Sequence, residues 1–190
     1  SADPTFGYFQ PSPALTFIDW SLSSAIMAAA GDIYERELKY LLEGDSKTLT
    51  KMSKTCNQAE RDAYNQMTEA PFLVIRAAGS LGVDLVALRW DFSFPIEVKS
   101  SVGDTLHFSK NERLNDQAER MMDTCARSHV LPIYAYRLKG YRGDPWRIFT
   151  IPSEPLRGRA GLLQEKIPKL EMTRGGSFVM RWNDGMKLSD

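Results

Sequence analysis

The chain has 190 residues, 43% hydrophobic and 25% charged, with 24 lysines and arginines balanced by 24 aspartates and glutamates. That length suits one domain, and the composition excludes a largely disordered chain, collagen, a coiled coil and a disulfide-stapled miniprotein. A formal charge of zero removes any global field for a polyanion but does not exclude DNA, because charge can segregate in space.

Along the chain, residues 1–30 begin with a proline-rich arm. The apolar stretch 15–30 is interrupted by Asp19 and serines, is too short for a membrane span, and so predicts no membrane partner. From 21 to 42 apolar residues recur at helical spacing (Ile26, Ala30, Ile33, Leu38, Leu41, Leu42) and Gly44 supplies a stop. Residues 44–55 are polar and predict a loop; Ala59, Ala63 and Met67 predict an added helix ending before Pro71. Runs at 72–75, 83–88 and 95–98 predict three strands of a buried sheet. Ser109 with Glu112 three residues on forms a capping box, which predicts a helix over 109–128. Strands follow at 130–138 and 146–151, then a C-terminal helix and a hairpin carrying Phe178, Met180 and Trp182. This is an α/β order.

The chemistry concentrates in two segments, VDLVAL and PIEVK, where Asp84, Glu97 and Lys99 interrupt apolar runs. Glu97 and Lys99 share one strand face. Burying such charges is costly unless they are paired or bound to a metal. Glu35 lies three and seven residues before Leu38 and Leu42, on or beside the face that packs on the sheet, and adds a third carboxylate. Mg²⁺ prefers carboxylate oxygens and is commonly held by one or two of them together with substrate phosphates. The residues alone leave two readings open, a metal centre for phosphodiester hydrolysis and a structural ion pair at a sheet edge.

GDIYERELKYLL, FLVIRAAGSLGVDLVAL and IEVKSS together resemble, in order, the opening helix, first hairpin and metal strand of the archaeal Holliday junction resolvases, members of the PD-(D/E)XK nuclease superfamily. The resemblance covers roughly residues 31–151. It implies a restriction-endonuclease-like α/β core, with a mixed central sheet of about five strands flanked by helices; the chain departs from the family pattern by an N-terminal arm over 1–30 and an insertion at 44–70, and a C-terminal helix and hairpin follow over 152–190. It also implies that Glu35, Asp84, Glu97 and Val98 hold Mg²⁺, with Mn²⁺ able to substitute, and that Lys99 is the catalytic lysine. Arg36, Arg76, Ser80 and Lys110 would meet the DNA backbone. The activity implied is structure-specific endonucleolytic cleavage of four-way DNA junctions by a homodimer. Another nuclease of the superfamily, or a non-cleaving junction-binding scaffold, are the alternatives.

Residues 127–159 carry seven Lys or Arg against Asp144 and Glu154. Beside a nuclease motif this run predicts a phosphate track that includes Arg137, Lys139 and Arg142. Cys56 and Cys125 show no CxxC and no histidine at ligand spacing, which predicts reduced thiols in a cytoplasmic protein and no zinc finger. His107, after a turn, reads as exposed. The four tryptophans read as packing residues.

Overall fold

A computed structural model describes residues 33–77, 82–108 and 112–190. The first helix, α1 (33–42 within the described residues), turns Leu38, Leu41 and Leu42 into the core. Gly44 stops it at φ +69°, where a Cβ would lie 2.9 Å from the Met67 carbonyl oxygen, so the turn needs a residue without one.

The segment expected to be a loop is a helix, α2 (Ser46–Ser53). Its polar composition hid two signals. Asp45 Oδ1 accepts from the Thr48 N–H at 2.8 Å and the Thr48 hydroxyl at 2.7 Å, and Leu49 and Met52, three apart, bury against the core. Helix α3 (Gln58–Gln66) opens with a capping box of Asn57 and Glu60. Its buried face is Glu60 and Tyr64 rather than the predicted alanine stripe; Ala59 is exposed, and Ala63 and Met67 are half-buried. Polar groups can occupy that face because both are satisfied there: Glu60 by Lys187 at 2.8 Å and the Tyr64 hydroxyl by Asp144 at 2.7 Å.

Six strands form the main sheet in the order β1-β2-β3-β5-β6-β9, one more than expected. They are β1 (Leu73–Arg76), β2 (Leu85–Leu88), β3 (Ser93–Ser101), β5 (Ile133–Leu138), β6 (Trp146–Thr150) and β9 (Met186–Lys187). All neighbours are antiparallel except β3 and β5. That parallel step needs a crossover, and helix α4 (Glu112–Ser128) lies in it. Strand β1 is not buried as predicted: it is the sheet edge, and Leu73 and Ile75 are exposed. A second sheet, β4 (Thr105–His107), β8 (Phe178–Arg181) and β7 (Glu171–Met172), was not anticipated. It holds His107 half-buried opposite Val179 instead of exposed. The predicted C-terminal hairpin is β7–β8, and helix α5 (Gly158–Lys166) precedes it.

Alternation splits the core in two. Ile96, Ile133, Ala135 and Ile148 face α1, α2 and α3, while Tyr134, Tyr136 and Phe149 face Ala118, Met121 and Cys125 of α4 and the β8 residues. Among the described residues no helix is long and apolar enough to cross a membrane. Both cysteines are free and buried.

Candidate active site

The register Leu85↔Ile96 between β2 and β3 places Asp84 across from Glu97. The Asp84 N–H donates to the Ile96 carbonyl at 3.0 Å, so Asp84 extends the ladder by one residue. Its Oδ2 then accepts from the Val98 N–H at 2.7 Å. The carboxylate is thereby fixed at the open end of the hairpin. Burial pushes its pKa up, partly offset by that Val98 N–H and the Lys99 charge.

Glu97 points to the α4 side of the sheet and is only 2% exposed. Its Oε1 accepts from Lys99 Nζ at 2.5 Å. Its Oε2 is buried with no hydrogen-bond partner. Burial raises the Glu97 pKa to about 7; Lys99 pulls it down and the Asp84 charge adds to the rise. The phenol of Tyr134, paired with Glu97 in the β3–β5 register, is also buried without a partner. Asp84, Glu97 and Lys99 share a pocket of about 280 Å³ with Gly82, Arg113 and Gln117.

Glu35 reaches this site from the α1 side. Arg76 Nη2 donates to Glu35 Oε2 at 2.9 Å, and the Glu35 charge contributes to the raised pKa of Asp84. Among the described residues no three His, Cys, Asp or Glu side chains converge as a ready-made cation cage. Asp84 and Glu97 converge, and Glu35 is turned to Arg76.

These residues fit a divalent cation nonetheless. A buried carboxylate with one oxygen on Lys99 and the other unpartnered, next to a second carboxylate, is a hard-oxygen donor set, and Mg²⁺ needs only one or two protein carboxylates.

The family model described as archaeal Holliday junction resolvase (Hjc) matches residues 51–160, more than half of the chain. The chain belongs to that family. Family resolvases are nucleases, and this chain is an endonuclease. The matched span contains Arg76, Asp84, Glu97 and Lys99; it leaves out α1, with Glu35 and Arg36, and begins inside the 44–70 segment expected to be additional. A solved structure of a Holliday junction resolvase from Archaeoglobus fulgidus, an archaeal hyperthermophile, aligns over 70% of this chain and 90% of its own, at 22% identity and a TM-score of 0.44. No curated protein matches the chain.

The remaining residues expected in a resolvase site are dispersed. Ser80 and Lys110 lie outside the described residues. Arg36 is exposed on α1, facing a cleft on the side of α2. Arg137 is on the α1 face of the sheet, away from Glu97, where Glu37 binds its guanidinium at 2.6 and 3.4 Å and the Tyr34 ring stacks 4.6 Å away. The Lys139 ammonium lies 5.5 Å from the same ring, and Arg142 is exposed in the β5–β6 turn. The basic run therefore does not form one continuous track. Arg147 is buried on the Trp182 ring at 3.7 Å, and Arg159 pairs with Asp91 at 2.8 Å.

Three neighbours of Glu97 escaped the sequence reading: Gln117, Arg113 and Tyr134. Gln117 Nε2 donates to the Gly82 carbonyl at 3.2 Å. A signal existed for the first two, which stand four apart on α4, flanking the apolar row of Leu114, Ala118 and Met121.

Proposed function

We propose that this resolvase is a Mg²⁺-dependent, structure-specific endodeoxyribonuclease that cuts four-way DNA junctions by paired symmetric nicks, acting as a homodimer on branched double-stranded DNA in the cytoplasm. The observation that carries the metal dependence is the buried Glu97 carboxylate, one oxygen on Lys99 and the other unpartnered, beside Asp84. The homodimer rests on the family resemblance. The two buried free thiols suit a reducing compartment.

Asp84 and Glu97 would hold the cation, with the adjoining Val98 backbone and Glu35 completing the set once Glu35 leaves Arg76. A bound Mg²⁺ would lower the pKa of water and offset charge on the phosphate. Every other part belongs to the chain. Lys99 is fixed by Glu97, so its ammonium would stand ready to donate to the non-bridging oxygen where charge develops. Released from Glu35, Arg76 would grip the adjacent phosphate with its planar fork. Gln117 ties α4 to Gly82 and keeps the hairpin mouth in register. Water would add to phosphorus, giving up a proton to solvent, as the P–O3′ bond breaks and O3′ takes a proton from solvent, leaving 5′-phosphate and 3′-hydroxyl ends.

The test labels the opposed strands of an immobile junction separately and titrates Mg²⁺ or Mn²⁺ into the DNA-free protein by calorimetry. The proposal expects nicks at symmetric positions on both strands, 5′-phosphate ends, and heat of binding that Glu97→Gln abolishes. Nicks confined to one strand would remove the paired-cut reading, and no binding of either ion would remove the metal site.

A further inference from the structure

Helix α2 contributes a feature that the active site does not use. Lys47, Lys51 and Lys54 stand at i, i+4 and i+7, on one side of the helix, and all three are exposed. The segment 46–59 contains these three lysines and no acid. None of the three takes part in an ion pair among the described residues, whereas Lys39, Lys99 and Lys187 each have a glutamate partner. The helix is firmly seated by the Asp45 cap and by buried Leu49 and Met52, so the row is presented on a fixed element.

The row borders a cleft of about 350 Å³ between α1, α2 and the β5–β6 turn, lined by Arg36, Tyr40, Thr48, Lys51 and Tyr141 among others. Its one acid, Glu37, is spent on three internal donors, two from Arg137 and the Trp146 indole N–H at 3.1 Å. The nearby acids are likewise engaged: Asp45 by the Thr48 donors and the Lys47 charge, and Glu43 by Lys39. Beside the exposed Ile33, the polar groups that the cleft and the row turn to solvent are cations and hydroxyls, the chemistry that holds phosphodiesters without reading bases.

We infer that the α2 lysine row and the adjoining cleft form a second DNA-backbone contact, which holds a junction arm away from the scissile phosphate. This deepens the resolvase reading and rests on it. Helix α1 links the two sites: Glu35 serves the Asp84 side and Arg36 lines the cleft. Seven residues of helix rise about 10 Å, enough to follow about three phosphates of one strand.

The test measures binding of a fluorescent four-way junction between 50 and 300 mM salt in Ca²⁺, comparing the wild type with Lys47→Gln/Lys51→Gln/Lys54→Gln and with the corresponding triple arginine variant. Wild-type cleavage of the same junction in Mg²⁺ is followed in parallel. The inference expects the glutamine variant to bind at least about tenfold more weakly, with a log–log salt slope shallower by about 2 to 3, since each phosphate contact contributes about 0.9. The arginine variant should restore both. Equal affinity and slope for wild type and the glutamine variant, while the wild type still cuts, would overturn this inference alone. A wild type that neither binds nor cuts the junction would overturn the resolvase reading with it.

Discussion

Lys99 folds back along its own strand to Glu97, Nζ to Oε1 at 2.5 Å, and covers only one of the two carboxylate oxygens. Glu97 is therefore a buried acid that Lys99 neutralises only in part. The Glu97 pKa is raised to about 7 from 4.5, mainly by burial, so between those values the folded state binds the proton more tightly than the unfolded state. Glu97 thus stabilises the fold fully below about pH 4.5, and that contribution is lost as pH rises through about 7. Metal-free wild type should lose thermal stability across this window relative to Glu97→Gln, and the variant should melt higher at pH 8. Parallel melting curves for the two proteins across the window would refute the assignment.

Removing the ammonium tests the other half of the pair. Lys99→Met keeps the aliphatic stem but withdraws the donor, and cleavage should fall by about 10² to 10³, the usual effect of losing one oriented donor at a developing anion. Single-turnover rates at saturating enzyme measure this directly, and a loss under threefold would exclude a catalytic role for Lys99.

Arg76 and Glu35 are joined at 2.9 Å, and a phosphate and a cation would each compete for one partner. Glu35→Gln should weaken divalent-ion binding while retaining junction affinity in Ca²⁺-free buffer. Arg76→Ala should weaken junction affinity while retaining ion binding. Calorimetry and a gel-shift series separate the two effects, and identical defects in both variants would mean that the pair is only structural.

Gln117 bridges α4 to the Gly82 carbonyl at 3.2 Å beside the pocket that holds Asp84, Glu97 and Lys99. Gln117→Ala should cost about 1 kcal/mol of stability for the lost hydrogen bond and lower cleavage several-fold by loosening the hairpin mouth. Chemical denaturation and cleavage rates together check this.

Far from the chemistry, Asp144 is fully buried and accepts from the Tyr64 hydroxyl at 2.7 Å, the Trp146 N–H at 3.0 Å and the Ser189 N–H at 3.0 Å. It ties α3, the β5–β6 turn and the chain end together. Asp144→Ala leaves two buried donors and a half-buried one unpaired and should destabilise by roughly 3 kcal/mol. Urea unfolding that shifts by less than about 1 kcal/mol would contradict this.

The charged cluster was legible because burying charge is expensive. An aspartate and an E-x-K inside apolar runs stand out, and alternation puts Glu97 and Lys99 on one face; the β2–β3 register that brings Asp84 across from Glu97 is seen only in the fold. What sequence could not reveal were contacts made at long range. Helix α2 looked like a loop because only Leu49 and Met52 bury, and α3 hid its inward face because Glu60 and Tyr64 find partners 127 and 80 residues away. The sixth strand, two residues long, is too short to carry a pattern. The basic run misled for a different reason: linear spacing ignores which side of a strand a residue takes, so Arg137 lies with Glu37 and Arg147 under Trp182.

A metal-dependent junction nuclease centred on Asp84 and Glu97 should reveal itself in the cleavage in Mg²⁺ of an end-labelled four-way junction, a flap and a plain duplex by wild type and by Asp84→Asn. Symmetric nicks are expected in the junction alone, present with wild type and lost in the variant. Equal cleavage by both proteins, or an intact junction with wild type, would contradict it.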